Sequence, residues 1–191
     1  MRIIAGEMRS RKLKAPEGMD TRPTADRVKE ALFSILGSRV YGARVLDLYG
    51  GSGALALEAI SRGADSAVIC DMSAKACAAI QENIDALGCG GRTKLLRMKD
   101  TAALAALEKK DDSFDLIFLD PPYRLSAAPV CQAIVNSGLL KADGMIVVEH
   151  DRNTPPDILP PLTLADRRDY GAAGLSFYQP ENGGQADESY V

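Results

Sequence analysis

The stretch Val45-Leu46-Asp47-Leu48-Tyr49-Gly50-Gly51-Ser52-Gly53-Ala54-Leu55-Ala56 contains an apolar run, a glycine-rich turn and the start of a helix. A strand that passes through such a turn directly into a helix is typical of a βαβ unit. Because glycine lacks a side chain, the backbone of this turn can approach a ligand closely. Ligands of open α/β sheets bind outside the carboxyl ends of the strands, so the turn is a candidate binding site.

The alternation of strands and helices continues along the chain. Strands are predicted at 44–49, 66–71, 94–98, 115–120 and 145–149, and helices near 54–62, 74–87, 101–109 and 126–137. The strand runs are nearly all apolar, which is typical of strands covered on both faces. This pattern predicts an α/β fold, a doubly wound and mostly parallel Rossmann-like sheet with right-handed crossovers. Strand candidates at 162–170 and 175–179 follow a proline-rich loop and predict an antiparallel pair at the sheet edge.

The two ends of the chain lie outside this alternation. Segments 2–5 and 11–15 flank Gly6 and predict a small hairpin. Thr24 is suited to cap a helix from Ala25 to Leu36, and Gly37 is suited to end it. We therefore divide the chain into an N-terminal extension (1–38), a Rossmann-like domain (39–180) and a tail (181–191) that lacks the apolar residues to pack.

The composition excludes several classes of protein. Of the 191 residues, 46% are hydrophobic and 26% are charged, so the chain can bury a core and is not wholly disordered. No apolar run approaches the roughly 18 residues of a membrane helix, and Glu7 interrupts the N-terminus before a secretory signal forms. The four cysteines form no Cys-x-x-Cys pair and His150 is the single histidine, which favours buried thiols in a reducing cytoplasm over a metal site.

Positive charge is concentrated at the start of the chain. Residues 1–44 hold ten basic and five acidic side chains, a net charge of +5, whereas the remaining 147 residues have a net charge of −8. We call residues 1–44 the basic head. A basic head on an acidic body suggests that only the head contacts a polyanion, but a solvated charged face explains the same pattern.

Four aspartates lie at or just after the ends of the first four predicted strands: Asp47, Asp71, Asp100 and Asp120. Gly51-x-Gly53-x-x-Ala56, with Asp71 twenty residues after Gly51, also fits a dinucleotide-binding fingerprint. However, Asp47 would repel a pyrophosphate, and the glycine loop contains no lysine or arginine to compensate. The electrostatics therefore argue against a dinucleotide.

A ligand with an ammonium and a sulfonium would instead be attracted, and S-adenosylmethionine is such a ligand. The backbone of Gly50–Gly53 would approach its methionine end, and Asp47 would hold its ammonium directly or through water. Asp71 would accept hydrogen bonds from the ribose hydroxyls, and Asp100 from the adenine amine. Any one of these aspartates alone could merely cap a helix or a turn, but four at successive strand ends favour a binding site.

The motif Asp120-Pro121-Pro122-Tyr123 is the most specific signal in the sequence. Methylating an exocyclic base amine is difficult because its lone pair is delocalised into the ring. The Asp120 carboxylate and the Pro121 carbonyl can accept from its two N–H groups, so that the nitrogen can pyramidalise toward the methyl carbon. Tyr123 offers a face on which a flipped base can stack. These three residues are the predicted catalytic residues, although a strand-to-helix turn with an incidental aromatic is the simpler alternative.

Together these motifs resemble those of class I amino-methyltransferases, and the N-terminal segments narrow the resemblance to the RsmD family. Those segments are Arg2-Ile3-Ile4-Ala5-Gly6, Arg11-Lys12-Leu13 and Thr21-Arg22-Pro23-Thr24-Ala25-Asp26-Arg27-Val28-Lys29-Glu30-Ala31-Leu32-Phe33. The resemblance covers the chain from Arg2 to about Gln179, with a mild departure at Asp71, where the family often has glutamate. It implies an S-adenosylmethionine-dependent enzyme that methylates the N2 amine of a guanine in bacterial 16S ribosomal RNA.

The resemblance also implies a role for the basic head in holding the RNA or the small ribosomal subunit. Four expected phosphate contacts lie in the predicted hairpin: Arg9, Arg11, Lys12 and Lys14. Arg22 and Arg27 flank the start of the predicted helix, where they either contact RNA near the active site or pair with carboxylates. His150 is expected at the surface, because the implied chemistry needs no strong base.

Other functions stay open on the residues alone. A nicotinamide-dependent oxidoreductase would use the same glycine loop but gives no reason for the Asp-Pro-Pro-Tyr motif. An RNA-binding assembly factor with an inactive pocket would be expected to have lost one of the four aspartates. Adenine-N6 methylation of DNA or RNA shares the same chemistry, and only the N-terminal resemblance favours guanine. The protein is expected in the cytoplasm as a monomer, without a metal or a membrane contact.

Overall fold

A seven-stranded sheet forms the centre of the computed structural model, which describes residues 1–18, 23–110, 112–122, 125–158 and 160–181. The strands in chain order are β1 (Arg44–Asp47), β2 (Ser66–Asp71), β3 (Thr93–Arg97), β4 (Phe114–Leu119), β5 (Leu140–Asp151), β6 (Leu162–Tyr170) and β7 (Ala173–Pro180). The helices are α1 (Pro23–Leu36), α2 (Ala54–Ser61), α3 (Ala74–Leu87), α4 (Asp100–Glu108) and α5 (Ala128–Asn136), and a 3-10 turn (Gly37–Val40) follows α1.

The spatial order of the strands is β3-β2-β1-β4-β5-β7-β6. Strands β1 to β5 pair in parallel, whereas β7 pairs antiparallel with both β5 and β6. This topology confirms the predicted α/β sheet with its antiparallel edge pair. The order of the parallel strands reverses at β1 and β4, and in such sheets the reversal opens a crevice at the carboxyl ends of the strands.

The sheet separates two apolar cores. Alternate residues of β4 belong to different cores: Leu116 and Phe118 pack on the face that α1, α2 and α3 cover, whereas Ile117 and Leu119 pack on the face that α4 and α5 cover. The central strands are therefore apolar on both faces, as their sequences indicate. All four cysteines are buried and free, as expected.

The N-terminal extension packs on the same face as α1. Its two predicted hairpin segments pair through a single bridge between Arg2 and Lys12, so the predicted contact is present but the segments do not form two strands. Gly6 has a φ of 85°, and a Cβ on it would lie 1.8 Å from the carbonyl oxygen of Ser61. Only glycine fits here, which fixes the extension against the end of α2.

The boundaries of several elements differ from those predicted. Helix α1 begins at Pro23, so Thr24 lies within the helix and its predicted capping role is wrong. Proline is favoured at the first helical position because its missing N–H has no helical partner there. Strand β5 is longer than predicted at both ends, because Leu140 pairs with Phe114 and Asp151 pairs with Ala173.

None of the helices in the described ranges is long and apolar enough to cross a membrane. The predicted tail falls mostly outside those ranges, which end at Glu181.

Candidate functional site

A cavity of about 920 Å³ opens at the carboxyl ends of the parallel strands. This volume is typical of a pocket for a small organic ligand. All four aspartates predicted from the sequence line it: Asp47, Asp71, Asp100 and Asp120. The walls also include Val28 and Leu32 of α1, and Met1, Pro16 and Glu17 of the N-terminal extension. The sequence therefore located the pocket but not the part that the extension plays in enclosing it.

The glycine loop forms one wall of the cavity and packs directly on β2. Gly51 and Gly53 have φ values of 57° and 77°, which side chains rarely allow. A Cβ on Gly50 would lie 2.5 Å from the Ile69 Cγ2 atom. The Gly51 N–H donates to the Asp71 Oδ2 at 2.9 Å. Each of these three glycines is thus needed for the shape of the loop, and the loop is tied to the end of β2.

Asp71 is held in a fixed orientation at the end of β2. One carboxylate oxygen accepts from Gly51, and the other accepts from the Ser73 N–H at 2.8 Å. Each carboxylate oxygen has a second lone pair that can accept another hydrogen bond. The side chain is half-buried and lines the cavity, so Asp71 can both brace the loop and accept from two neighbouring hydroxyls of a ligand.

Asp100 is positioned by a neighbour that the sequence analysis missed. Its Oδ2 accepts from the Tyr49 hydroxyl at 2.6 Å, and its Oδ1 accepts from the Thr101 N–H at 2.7 Å. Burial and the bond to Asp100 raise the pKa of Tyr49 above its usual value, so Tyr49 stays a donor. Tyr49 directly precedes the glycine loop, and this position was the signal in the sequence that could have identified it.

Three carboxylates lie close together at the ends of β1, β4 and β5. Leu119 pairs with Val148 in parallel register, so the next residues, Asp120 and Glu149, follow side by side at the strand ends. Both face the side of the sheet that α1 covers, because Leu119 and Val148 pack on the other face. Asp47 on β1 faces the same side and is only 2% exposed.

The close packing of these carboxylates disfavours their charged forms. Burial, followed by the charge of Asp120, raises the pKa of Asp47 to about 7. The same two causes raise the pKa of Glu149 to about 8. Asp120 is exposed to the cavity, yet the surrounding protein removes enough water to raise its pKa to about 6. A cation in this part of the cavity would relieve the mutual repulsion.

The charge of the whole lining favours a cationic ligand. Among the described residues that line the cavity, seven are Asp or Glu and three are Lys. Two of those lysines already have acidic partners, since Lys29 lies 3.2 Å from Glu58 and Lys75 lies 2.9 Å from Glu17. These carboxylate acceptors fit S-adenosylmethionine, whose ammonium and sulfonium are cationic and whose ribose and adenine offer hydrogen-bond donors.

The described part of the motif that the sequence analysis predicts to be catalytic lies at the cavity. Asp120, Pro121 and Pro122 line the cavity, and the Leu125 N–H donates to the Pro122 carbonyl at 2.7 Å, which closes a turn. Tyr123 and Arg22 lie outside the described residues, so their predicted roles stay predictions.

Buried Asn83 of α3 ties the extension to the glycine loop. Its side chain accepts from the Lys14 N–H at 2.8 Å and donates to the carbonyls of Lys14 and Ser52, each at 2.9 Å. The chain around Lys14 is therefore held at the edge of the cavity. Nothing in the local sequence marks Asn83, because both partners lie far from it along the chain.

The predicted phosphate contacts are exposed, but two of them already bind the protein. Arg11 donates to the Ala86 carbonyl, and Lys14 pairs with Glu82 at 2.6 Å on the surface. Arg9, Lys12 and Arg27 are exposed as well. An exposed ion pair contributes little to stability, so the Lys14 ammonium remains accessible to a phosphate.

His150 is buried, and the prediction that it lies at the surface is wrong. It is 6% exposed, with Nε2 2.8 Å from the Ser176 hydroxyl and Nδ1 2.7 Å from the Asp151 carbonyl. Strand β7 covers this end of β5, and a Cβ on Gly174 would lie 2.4 Å from the imidazole. His150 is thus a packed structural residue. The sequence did not indicate this, because it did not show that β7 pairs with β5 at this position.

In the described ranges, no three His, Cys, Asp or Glu side chains are grouped so that they could hold a metal ion.

Residues 1–179 match a family model described as conserved hypothetical protein 95. The chain is 36% identical over 181 residues to the putative rRNA methyltransferase YlbH of Bacillus subtilis, covering 94% of this chain and 98% of that one. It is 32% identical over 189 residues to ribosomal RNA small subunit methyltransferase D of Escherichia coli K12, covering 98% and 93%.

The fold is also similar to those of solved structures. A structure titled putative methyltransferase yhhF from Escherichia coli has a TM-score of 0.82 and 32% identity, covering 95% of this chain and 98% of that one. A structure titled putative methyltransferase SMU.776 complexed with SAH shares the fold at a TM-score of 0.66 and 16% identity, covering 83% and 50%.

Proposed function

The chain belongs to the conserved hypothetical protein 95 family, and from this premise we propose that it methylates the N2 amine of a guanine in small-subunit ribosomal RNA. It is a methyltransferase, with S-adenosylmethionine as the methyl donor. The observation that carries the reaction type is the position of Asp120 and Pro121 at the edge of a cavity whose other end holds Asp71 and Asp100. The names of the relatives support ribosomal RNA as the substrate, and the RsmD resemblance supports guanine-N2.

The cavity divides into an anchoring part and a reacting part. When bound, S-adenosylmethionine supplies a methyl group that its sulfonium makes electrophilic. Asp71 and Asp100 are oriented by Gly51 and Tyr49 to accept from ribose hydroxyls and from the adenine amine. Asp47 provides negative charge next to the glycine loop, where it would hold an ammonium. These contacts would orient the donor so that its methyl group faces Asp120.

Asp120 and Pro121 act on the amine that receives the methyl group. In a free guanine the N2 lone pair is delocalised into the ring and is a poor nucleophile. An acceptor on each N–H group would hold the amine in a pyramidal shape, so that its lone pair points at the methyl carbon. Positive charge develops on the nitrogen as the new C–N bond forms, and the Asp120 carboxylate stabilises that charge. The extra proton then leaves to water.

We expect Asp71→Ala to weaken S-adenosylmethionine binding by about 1.5–3 kcal/mol, the value of hydrogen bonds to a charged group. Isothermal titration calorimetry measures this directly. Asp65→Ala is the matched control, because Asp65 is exposed and lies before the opposite end of β2. Unchanged affinity in Asp71→Ala would reject the role assigned to this carboxylate.

Cofactor binding should release protons between pH 6 and 7. The pKa of Asp47 is raised to about 7 in the cavity, so a large fraction of this carboxyl is protonated there. A cationic ligand favours the charged form and lowers that pKa, so affinity should rise with pH across this window. Calorimetry in buffers of different ionisation enthalpy counts the protons, and Asp47→Asn should reduce their number. Proton uptake on binding would contradict this assignment.

Phosphate contacts of the basic head should appear in the salt dependence of RNA binding. Replacing Arg9, Arg11, Lys12 and Lys14 by alanine should flatten the plot of log affinity against log salt by about 0.7–0.9 per lost contact. Lys109→Ala with Lys110→Ala, at the end of α4, is the control for a general loss of positive charge. If the slope of the quadruple variant equals that of the wild type, the head does not contact phosphates.

The experiment that tests the function is mapping of methylated nucleotides in ribosomal RNA from cells with and without the gene. Loss of one N2-methylguanine from the small-subunit RNA, restored by the purified enzyme with labelled S-adenosylmethionine, is the expected result. Loss of an N6-methyladenine instead would show that the base is wrong. The same proposal includes a cytoplasmic location, where ribosomes assemble, and action as a monomer.

A further inference from the structure

Glu149 lies next to the reacting part of the cavity, and the mechanism described above assigns no role to its carboxylate. It ends the apolar run of β5 and lies beside Asp120, because the preceding residues, Val148 and Leu119, are paired. Its side chain is half-buried and faces the α1 side of the sheet, as Asp120 does. The described part of the chain places no positive partner beside it, and a partly desolvated carboxylate without one is costly, so its presence favours a ligand that donates hydrogen bonds.

Glu149 lines the same cavity as Asp120 and Pro121. Its neighbour Val148 packs in the core on the α5 face, so the carboxylate lies on the side of the sheet where this cavity opens. A base whose amine is held by Asp120 and Pro121 would therefore present the adjoining atom of its edge to Glu149.

The atom beside the methylated amine differs between the two candidate bases. In guanine, the ring nitrogen N1 next to the N2 amine carries a hydrogen and is a donor. In adenine, the ring nitrogen N1 next to the N6 amine is bare and is an acceptor. A carboxylate at this position attracts the first and repels the lone pair of the second, so one side chain can distinguish the two bases.

We propose that Glu149 selects guanine by accepting a hydrogen bond from the ring N1–H next to the amine that is methylated. This inference rests on the proposed function, since it takes guanine-N2 as the target. Among the described residues, the charged group that acts on Glu149 is Asp120 on β4, and β7 contributes the apolar Leu175 opposite it. An N–H donor favours the ionised carboxylate, whose pKa burial and Asp120 otherwise raise.

The test compares guanine with 2-aminopurine at the methylated position of the small-subunit RNA, introduced by ligation of a synthetic segment. 2-Aminopurine keeps the amine at C2, but its N1 carries no hydrogen. Transfer is measured just above pH 8, where Glu149 is mostly ionised and cannot itself donate to the bare N1. Loss of a hydrogen bond to a charged acceptor corresponds to roughly 10- to 150-fold, and the wild type should prefer guanine in single-turnover transfer by a factor in that range. Glu149→Gln can donate to the bare N1, so its preference for guanine should fall by at least about tenfold.

A merely structural role of Glu149 would slow transfer to both bases alike and leave the ratio unchanged, which overturns the inference. Glu149→Ala serves as a second variant, because it removes the acceptor without adding a donor and should also lower the ratio. Asp143→Asn is the control, since Asp143 is exposed near the opposite end of β5 and should keep the wild-type ratio. If the wild type transfers no methyl group to guanine N2, the proposed function itself fails, whatever Glu149 does.

Discussion

Asp120→Ala is expected to lower the single-turnover rate of methyl transfer to small-subunit RNA by a factor on the order of 10²–10³, the usual effect of removing one group aimed at developing charge. The acceptor is worth more in the transition state than in the ground state, because positive charge appears on the amine only as the bond forms. Asp120→Asn keeps a side-chain oxygen but loses the charge, so its rate should fall between those of the wild type and the alanine variant.

Cofactor binding separates this effect from a damaged pocket. Asp71 and Asp100 hold the far end of the cavity and have their own hydrogen-bond partners, so both Asp120 variants should still bind S-adenosylmethionine. Asp120 also raises the pKa values of Asp47 and Glu149, and its removal should therefore reduce the protons released on binding near pH 6.5. If Asp120→Ala transferred methyl groups within a few-fold of the wild-type rate, the amine-acceptor mechanism would be wrong.

The sequence was sufficient to locate the pocket because of a general property of parallel sheets. The carboxyl ends of parallel strands meet at one edge, so residues that follow successive apolar runs come together whatever their separation along the chain. Asp47, Asp71, Asp100 and Asp120 each follow such a run or end it, and all four line the cavity. The glycine loop could also be predicted from the sequence, because its conformation depends on residues that are neighbours along the chain.

Residues whose role depends on pairing between distant strands could not be found this way. Glu149 follows the apolar run of β5 just as Asp120 follows that of β4, but its closeness to Asp120 depends on the register of the two strands. His150 is buried because β7 begins beside it and runs back along β5, which an apolar pattern does not specify. Asn83 acts through Lys14 and Ser52, which are 69 and 31 residues away along the chain.

The role of the N-terminal extension also depends on contacts with distant parts of the chain, which the sequence does not show. Its basic residues suggested RNA contacts, whereas no local pattern indicated that the segment also encloses the cavity through Met1, Pro16 and Glu17. Ile3, Met8 and Leu13 belong to the apolar core on the α1 face. The extension is thus an integral part of the fold, and several of the polar contacts that attach it are partly or fully buried.

The strongest of those contacts converge on Glu58 of α2, which is fully buried. One carboxylate oxygen accepts from the Ile4 N–H at 2.8 Å and lies 3.2 Å from the Lys29 ammonium. The other accepts from the Ala5 N–H at 3.0 Å and from the Arg62 guanidinium at 2.8 Å. Glu58 therefore connects the extension, α1 and α2 through one side chain.

Glu58→Ala should lower the free energy of unfolding by about 3–5 kcal/mol, the cost of leaving a buried charge without its partner. Lys29 is 4% exposed, and burial already lowers its pKa while Glu58 raises it, so the unpaired ammonium cannot regain its hydration. Glu82→Ala is the control, because Glu82 forms an exposed pair with Lys14 and should cost at most about 1 kcal/mol. Urea denaturation measures both values. Adding Lys29→Met to Glu58→Ala should recover part of the loss, since it removes the buried charge. If Glu58→Ala were no less stable than Glu82→Ala, the buried pair would not be what attaches the extension.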